Sequence, residues 1–203
     1  MKLSIQYLQR AMEENSSHAV ELSKKLASTL IEQIDQLSKI ASDFSQFANI
    51  ENTKPELFNI NMLIYNLVNL YKADTGIRIN YTSDTNNAEA YLDKMQINRL
   101  FTNLIKNAIE AYDETETPDI DIRLFTQRRD VIIAVKDSGS GIDEALRSKI
   151  FNPNFTTKSS GTGLGLAICK AIVEHAGGKI WFTTSTEGTS FYVKLPLANN
   201  LQV

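Results

Sequence analysis

The sequence predicts an α+β fold, with an N-terminal helical hairpin followed by an α/β sandwich. All nine glycines lie at or after Gly76, and the only proline before that residue is Pro55. The first part of the chain therefore lacks the residues that most often break helices. After Pro55, helical and alternating apolar patterns follow each other, which is typical of helices packed on a sheet.

The composition excludes several classes of protein. The chain has 203 residues and a net charge of −3, with 42% hydrophobic and 22% charged residues. This balance argues against a disordered chain, a fibrous or disulfide-rich scaffold, and a nucleic-acid partner that requires excess positive charge. The single cysteine, Cys169, can form neither an internal disulfide nor a multi-cysteine zinc site. No signal peptide or membrane-length apolar stretch is present, so we expect a soluble chain.

A helical hairpin is expected over residues 1–52, with a domain boundary near residues 52–55. A short helix is predicted over Leu3–Glu13, with a turn and helix cap at Asn15–Ser17. Further along, six apolar residues alternate steps of four and three, the spacing of a coiled-coil seam. They are Leu30, Ile34, Leu37, Ala41, Phe44 and Ala48. Because two helices cannot bury so wide a stripe alone, we expect a homodimeric four-helix bundle; packing against the second domain is the alternative.

Residues 55–203 are expected to form one α/β domain. Helices are predicted over Asn61–Ala73, from the N-cap Asp93 to Tyr112, and over Leu164–Ala176. Strands are predicted after Gly76, over Ile120–Leu124 and Val131–Val135, and as a final hairpin of Lys179–Thr184 and Thr189–Leu195. The sheet strands alternate apolar and polar residues where one face is buried, and the helices repeat apolar residues every three or four positions.

The first motif whose residues suggest a chemical function lies on the helix that follows Asp93. Asn103 and Asn107 are four residues apart, so both amides project from one helical face. Amide oxygens are hard, neutral ligands that suit magnesium, which also keeps waters and substrate phosphates in its shell. The alternative is a pair of solvated asparagines on an amphipathic helix.

The second motif, Asp137 to Ile142, directly follows an apolar strand and contains Gly139 and Gly141. A carboxylate at a strand end accepts hydrogen bonds and can recognise an exocyclic amine such as that of adenine. Glycines allow the backbone to close over a flat ring, because no Cβ stands in the way. The alternative is an ordinary Asp-Ser-Gly turn.

The third and fourth motifs run together. Lys158 can supply a point charge to a terminal phosphate, and a glycine loop then opens a helix whose N–H groups and dipole favour phosphate. That loop consists of Gly161, Thr162, Gly163, Leu164, Gly165 and Leu166. It fits neither the dinucleotide fingerprint nor a P-loop. The alternative is a glycine-rich loop beside a core aromatic pair, Phe151 and Phe155.

The order and spacing of these four motifs resemble the GHKL, or Bergerat-type, nucleotide-binding fold over residues 55 to 197. More narrowly, they resemble the catalytic domain of a bacterial sensor histidine kinase of the nitrogen-regulation type. The resemblance implies a Bergerat-type α/β sandwich that binds ATP and Mg²⁺. It also implies transfer of the γ-phosphoryl group to a histidine, and then to an aspartate of a response regulator.

The resemblance also implies roles for single residues. Asn107 would hold magnesium, with Asn103 assisting. Asp137 would recognise adenine, partly through water, with Gly139 and Gly141 beside the ring. These positions match the family's motifs one by one.

Residues Ile142–Gly161 would form a lid over ATP, in which Lys158 faces the γ-phosphate. Thr189 matches a hydroxyl position beside the adenine. The loop from Gly161 to Leu166 would wrap the phosphates, and Ile142 would also contact the nucleotide. Asn152 and Asn154 depart from the acidic and aromatic residues common in such lids.

Position 103 helps to choose among relatives. Chaperone and topoisomerase ATPases of this superfamily carry a glutamate there as the base for an attacking water, whereas Asn103 cannot take a proton at physiological pH. Such a site suits transfer to another nucleophile, here a histidine. The alternatives are a GHKL ATPase, an anti-sigma-type serine kinase, or a non-catalytic nucleotide-binding module.

The phosphoacceptor histidine of the resembled family is expected to lie upstream of residue 1. In nitrogen-regulation-type kinases a His-Glu-x-x-x-x-Pro block precedes turns that Leu3–Leu8 resembles. His18 lacks the following proline, and His175 ends a helix before a Gly-Gly pair, so neither fits the acceptor. We therefore expect a chain that binds ATP without phosphorylating itself. It would be the cytoplasmic part of a sensor anchored to a membrane through other regions.

Overall fold

A computed structural model describes residues 19–73, 76–113, 117–158 and 161–198. The chain divides into two compact units between Gln46 and Phe47. The predicted helix Leu3–Glu13 and the turn Asn15–Ser17 lie outside the described residues. The domain limits 1–52 and 55–203 stay a prediction; in the structure, residues 47–55 belong to the second unit.

The described residues of the first unit, 19–46, all lie in one long helix, α1 (Ala19–Ala48). Three residues of the predicted seam, Ile34, Leu37 and Phe44, are more than half exposed in the single chain, at 56%, 55% and 65%. A stripe of this kind is stabilised when another helix covers it. The four-helix bundle stays a prediction. Among the described residues, no helix combines the length and apolar character needed to cross a membrane.

The second unit alternates helices and strands. In chain order its elements are β1 (Glu56–Asn59), α2 (Ile60–Lys72), β2 (Arg78–Ser83), β3 (Glu89–Leu92), α3 (Lys94–Ile109), β4 (Asp119–Gln127), β5 (Asp130–Lys136), α4 (Glu144–Arg147), α5 (Gly165–His175), β6 (Lys179–Ser185) and β7 (Gly188–Pro196). The predicted strands and long helices are all present. The antiparallel ribbon of β1 and β3 and the short helix α4 were not predicted, because four residues are too few for a clear periodicity.

Five strands form one mixed sheet in the order β2-β4-β5-β7-β6. Only β2 and β4 run parallel, and the other neighbours are antiparallel. In β4 the side chains of Ile120, Ile122 and Leu124 are buried, and the intervening residues are more accessible. Helices α2, α3 and α5 pack against the sheet. This arrangement confirms the predicted α/β sandwich.

Helix α3 is fixed at both ends. Oδ1 of Asp93 accepts the N–H of Gln96, which confirms the predicted N-cap, and its Oδ2 accepts the N–H of Lys54 in the preceding linker. The helix ends at Ile109, three residues before the predicted end. The chain leaves the helix there through tighter turns, in which the N–H groups of Ala111 and Tyr112 reach carbonyls three residues earlier. The hydroxyl of Tyr112 donates to the Asp119 carbonyl at 2.6 Å.

Candidate nucleotide-binding site

Asp137 lies at the end of β5, where β7 pairs beside it, and only 3% of the residue is exposed. Its Oδ1 accepts the backbone N–H groups of Gly139 at 3.1 Å and Thr189 at 3.0 Å. Among the residues that the structure describes, no hydrogen bond reaches Oδ2. One carboxylate oxygen therefore fixes the side chain, and the other keeps its capacity to accept a hydrogen bond.

The environment of Asp137 shifts its ionisation in two directions. Burial raises the pKa of the carboxyl above its ordinary value, because a charge is costly to remove from water. The N–H donors of Thr189 and Gly139 and the positive charge of Lys158 oppose this shift and lower the pKa. Lys158 therefore acts electrostatically on the same pocket.

The turn after Asp137 approaches the β6–β7 hairpin closely. Gly141 has a φ of +77°, and a Cβ there would lie 1.9 Å from the carbonyl oxygen of Ser185. No other residue fits this position without moving the hairpin. The next residue, Ile142, donates its N–H to the hydroxyl of Thr184 at 2.9 Å.

The face of α3 that carries Asn103 and Asn107 is partly exposed. Within the described part of the chain, the Asn107 amide makes no hydrogen bond, so its oxygen is available. Asn103 contacts the buried thiol of Cys169; burial raises the pKa of that thiol to about 12, and the hydrogen bond with Asn103 lowers it. The Asn103 side chain therefore lies beside the thiol, whose Sγ is also 3.7 Å from the carbonyl oxygen of Leu100.

Lys158 reaches α3 through an ion pair that the sequence analysis missed. Its Nζ lies 2.6 Å from Oε2 of Glu110, one turn beyond Asn107. The spacing could have revealed it, because positions 103, 107 and 110 follow steps of four and three along one helical face. The lysine that is predicted to bind phosphate is thus held at the end of the α3 face that carries Asn103 and Asn107.

Between Ile142 and Lys158 the chain is anchored by aromatic contacts. The ring of Phe151 lies 6.1 Å from that of Phe182 and 6.4 Å from that of Phe191, in edge-on geometry. Phe155 is also partly buried against the core. These contacts fasten the segment to the core of the domain.

The glycine loop leads into α5. Gly163 has a φ of +69°, and a Cβ there would lie 2.6 Å from the carbonyl carbon of Asn154. The N-cap residue of α5, Leu164, makes no side-chain hydrogen bond to the helix. Two residues earlier, the hydroxyl of Thr162 accepts the N–H of Leu164 at 3.4 Å.

The structure brings part of the predicted site together. Gly139 and Thr189 both donate to Asp137, and Ile142 donates to Thr184 of the hairpin that carries Thr189. His175 lies elsewhere, at the far end of α5. It lines a recess of about 170 Å³ together with other residues that include Tyr91, Asp93 and Ile172. His18 lies outside the described residues.

A mixed sheet covered by helices, with a carboxylate and glycine turn at the end of a central strand, defines a nucleotide-binding α/β sandwich. The family of histidine kinase-, DNA gyrase B- and HSP90-like ATPases matches residues 92–199. The nucleotide-free catalytic domain of histidine kinase ThkA superposes with a TM-score of 0.65 and 35% identity, over 71% of this chain and 97% of that one. The chain belongs to this ATPase family, as a histidine kinase-type ATP-binding domain.

Curated relatives carry related descriptions. Sensor protein TdiS of Thauera aromatica is 32% identical over 96% of this chain, and nitrogen regulation protein NtrY of Azorhizobium caulinodans is 28% identical over 97%. The chain spans only 37% of TdiS and 26% of NtrY. ThkA in complex with the response regulator TrrA superposes with a TM-score of 0.72 and 26% identity, over 98% of this chain and 59% of that one.

The burial of Asp137 predicts a specific dependence of stability on pH. Because its pKa is higher in the folded state than in the unfolded state, the ionised carboxyl costs stability, and protonation restores it. Lowering the pH from about 7 to about 4 should therefore stabilise the parent relative to Asp137→Asn, whose side chain does not titrate. Denaturant unfolding at a series of pH values measures this difference. If the difference in unfolding free energy stays constant, or shifts in favour of the variant on acidification, the raised pKa of Asp137 is contradicted.

Proposed function

We propose that this chain is the ATP-binding catalytic part of a sensor histidine kinase. The intact protein moves the γ-phosphoryl group of ATP to a histidine, and then to an aspartate of a response regulator. The observation that carries this proposal is the Asp137 carboxylate, with Oδ1 fixed by two backbone N–H groups and Oδ2 left as an acceptor. The partner that we assign to this acceptor is the exocyclic amine of adenine, as the family resemblance implies.

The adenine site consists of Asp137 and the residues fixed around it. Gly139 and Gly141 lie beside the ring in this proposal, and they allow the turn to pack closely, because a Cβ would lie 2.5 Å from the Ala111 carbonyl oxygen or 1.9 Å from that of Ser185. Thr189 presents a hydroxyl next to the carboxylate, because its own N–H is bonded to Oδ1. Ile142 supplies an apolar contact at the end of the turn.

Magnesium fits the chemistry of the donors on α3. The amide oxygen of Asn107 is partly exposed and available, and amide oxygens are suitable ligands for this hard cation. Asn103 lies one turn earlier on the same face of α3, and we assign it an assisting role. When bound, the cation neutralises charge on the phosphates.

The triphosphate is bound by Lys158 and the start of α5. The side chain of the N-cap Leu164 makes no bond to that helix, and we expect the helix N–H groups and dipole to act on an anion. A Cβ at Gly165 would meet nothing within 4 Å, so the protein leaves open space at this position. Lys158 exchanges Glu110 for the γ-phosphate when ATP enters.

Transfer to histidine suits the residues present better than hydrolysis. The amide of Asn103 cannot act as a base toward water. The solved and curated neighbours are sensor kinases, so an ATPase, a serine kinase or a non-catalytic module is not favoured. The acceptor histidine belongs to a segment upstream of residue 1, and neither His18 nor His175 takes that role.

We also propose the partners of the intact protein. The exposed apolar seam of α1 supports a homodimer through the helical hairpin. The ThkA complex supports a response regulator as the receiver of the phosphoryl group. The chain works in the cytoplasm, and any attachment to a membrane is made by other segments.

Replacing Asp137 by Asn tests the proposal directly. The variant keeps an acceptor for the two N–H groups, but it presents an amide to the adenine amine, so ATP binding should be lost while the fold remains. Calorimetry with Mg-ATP measures the affinity, and Asp121→Asn, which disrupts only an exposed ion pair with Arg123, is the control. With the upstream segment joined, acid-labile phosphohistidine should form in the parent and not in Asp137→Asn. Unchanged ATP affinity would overturn the adenine role.

The metal role of Asn107 predicts a second result. Asn107→Ala removes the amide oxygen, so magnesium should no longer strengthen ATP binding, and affinity should match that of the parent in chelator. Asn98→Ala, on an exposed position of the same helix, should keep the full magnesium response. Equal stimulation by magnesium in Asn107→Ala and the parent would reject the assignment.

The ion pair between Lys158 and Glu110 predicts competition with the γ-phosphate. Glu110→Gln frees the lysine, so ATP affinity should rise by up to about fivefold, the equivalent of an exposed ion pair of about 1 kcal/mol. The affinity for ADP should not change, and the gain should shrink in high salt. Glu174→Gln, which removes an ion pair with Lys170, is the control. A gain of the same size for ADP would contradict this exchange.

A further inference from the structure

The turn from Asp137 to Ile142 is held from both sides by hydroxyl groups outside the four motifs. On one side, Thr184 of β6 accepts the N–H of Ile142 at 2.9 Å. The same oxygen lies 3.0 Å from the hydroxyl of Thr189 and 3.3 Å from the carbonyl oxygen of Gly188. One hydroxyl therefore joins the end of the glycine turn to the start of β7.

Only one arrangement of hydrogens satisfies all three contacts of Thr184. Its single proton goes to the Gly188 carbonyl, and its oxygen accepts from the Ile142 N–H and from the Thr189 hydroxyl. The oxygen of Thr189 then keeps its lone pairs for the pocket, close to the Asp137 carboxylate. Thr184 thus orients a hydroxyl of the proposed adenine site without lying in that site.

On the other side, Tyr112 holds the beginning of the turn. Its hydroxyl accepts the N–H of Ser138 at 2.7 Å and donates to the carbonyl of Asp119 at 2.6 Å. Tyr112 follows the end of α3, so it links the helix that carries Asn103 and Asn107 to the turn that begins at Asp137. Both hydrogen-bonding capacities of the phenol are used within the protein.

These two hydroxyls matter because the turn has no secondary structure of its own. Oδ1 of Asp137 is fixed by Gly139 and Thr189, so the direction of Oδ2 depends on where that turn and the start of β7 lie. Loss of either outer hydrogen bond would let the turn shift while the sheet remains paired. A shift of a fraction of an ångström is enough to misalign a hydrogen bond.

We infer that Thr184 and Tyr112 are positioning residues that set the selectivity of the pocket for adenine, although neither contacts the nucleotide. The inference rests on the proposed ATP site and adds the residues that align it. Its signature is a loss of discrimination for the 6-amino group of the base, rather than a uniform loss of affinity.

The experiment compares Mg-ATP with the triphosphate of purine riboside, which is the same nucleotide without the 6-amino group. The parent should bind ATP more tightly, because only ATP offers a donor to Asp137. Thr184→Val leaves the Ile142 N–H without its partner, so the ratio of the two affinities should fall by about tenfold. Thr184→Ser keeps the hydroxyl and should restore the ratio. Thr183→Val, at the exposed neighbouring position, should behave as the parent.

The Tyr112→Phe variant tests the inference independently of Thr184. It removes only the hydroxyl, and it should lower the same ratio while the affinity for purine riboside triphosphate changes little. Tyr91→Phe, at a half-exposed residue of the β1–β3 ribbon, is the control. Denaturant unfolding of every variant establishes that the binding measurements report on folded protein.

Several outcomes would overturn the inference. They are an unchanged ratio in Thr184→Val, an equal weakening of both nucleotides, and a failure of Thr184→Ser to restore discrimination. Each of these results would assign the hydroxyls a purely structural role. A parent that binds ATP and shows discrimination keeps the proposed function intact in all three cases. A parent that binds neither nucleotide overturns the proposed function together with the inference.

Discussion

The fixed carboxylate of Asp137 is the interaction on which the rest of the site depends. Burying a charged group is costly unless hydrogen bonds compensate it, and here the compensation comes from the N–H groups of Gly139 and Thr189. One donor lies on the turn that follows β5 and the other on the first residues of β7. The Asp137 carboxylate is therefore positioned correctly only when the register of the sheet and the conformation of the turn are both correct.

Most of the fold could be predicted because its elements are long and periodic. Alternating residues identified β4, and the capping Asp93 identified the start of α3. The β1–β3 ribbon and α4 were not predicted, because four residues give too little periodicity. The end of α3 was predicted too late, because Tyr112 continues the helical pattern, whereas the N–H groups of Ala111 and Tyr112 bond to carbonyls three residues earlier in tighter turns.

The residues of the candidate site also fall into two groups, those that could be predicted from the sequence and those that could not. Residues within compact motifs could be proposed from the sequence, because each motif contains functional side chains that are close together along the chain. Glu110, Tyr112 and Thr184 were not proposed, because their partners lie 48, 26 and 42 residues away along the chain. The spacing along α3 could have indicated Glu110. No pattern marks Thr184, since its role depends on how β6 packs beside the turn.

The distance in sequence between Asp137 and Thr189 has a consequence for the order in which the protein matures. These residues are 52 positions apart, and β7 enters the sheet between β5 and β6. A nascent chain still emerging from the ribosome has the carboxylate before it has the strand that fixes it. Ligand recognition therefore cannot assist the early stages of biosynthesis, and it stabilises the molecule only after the last central strand has been inserted.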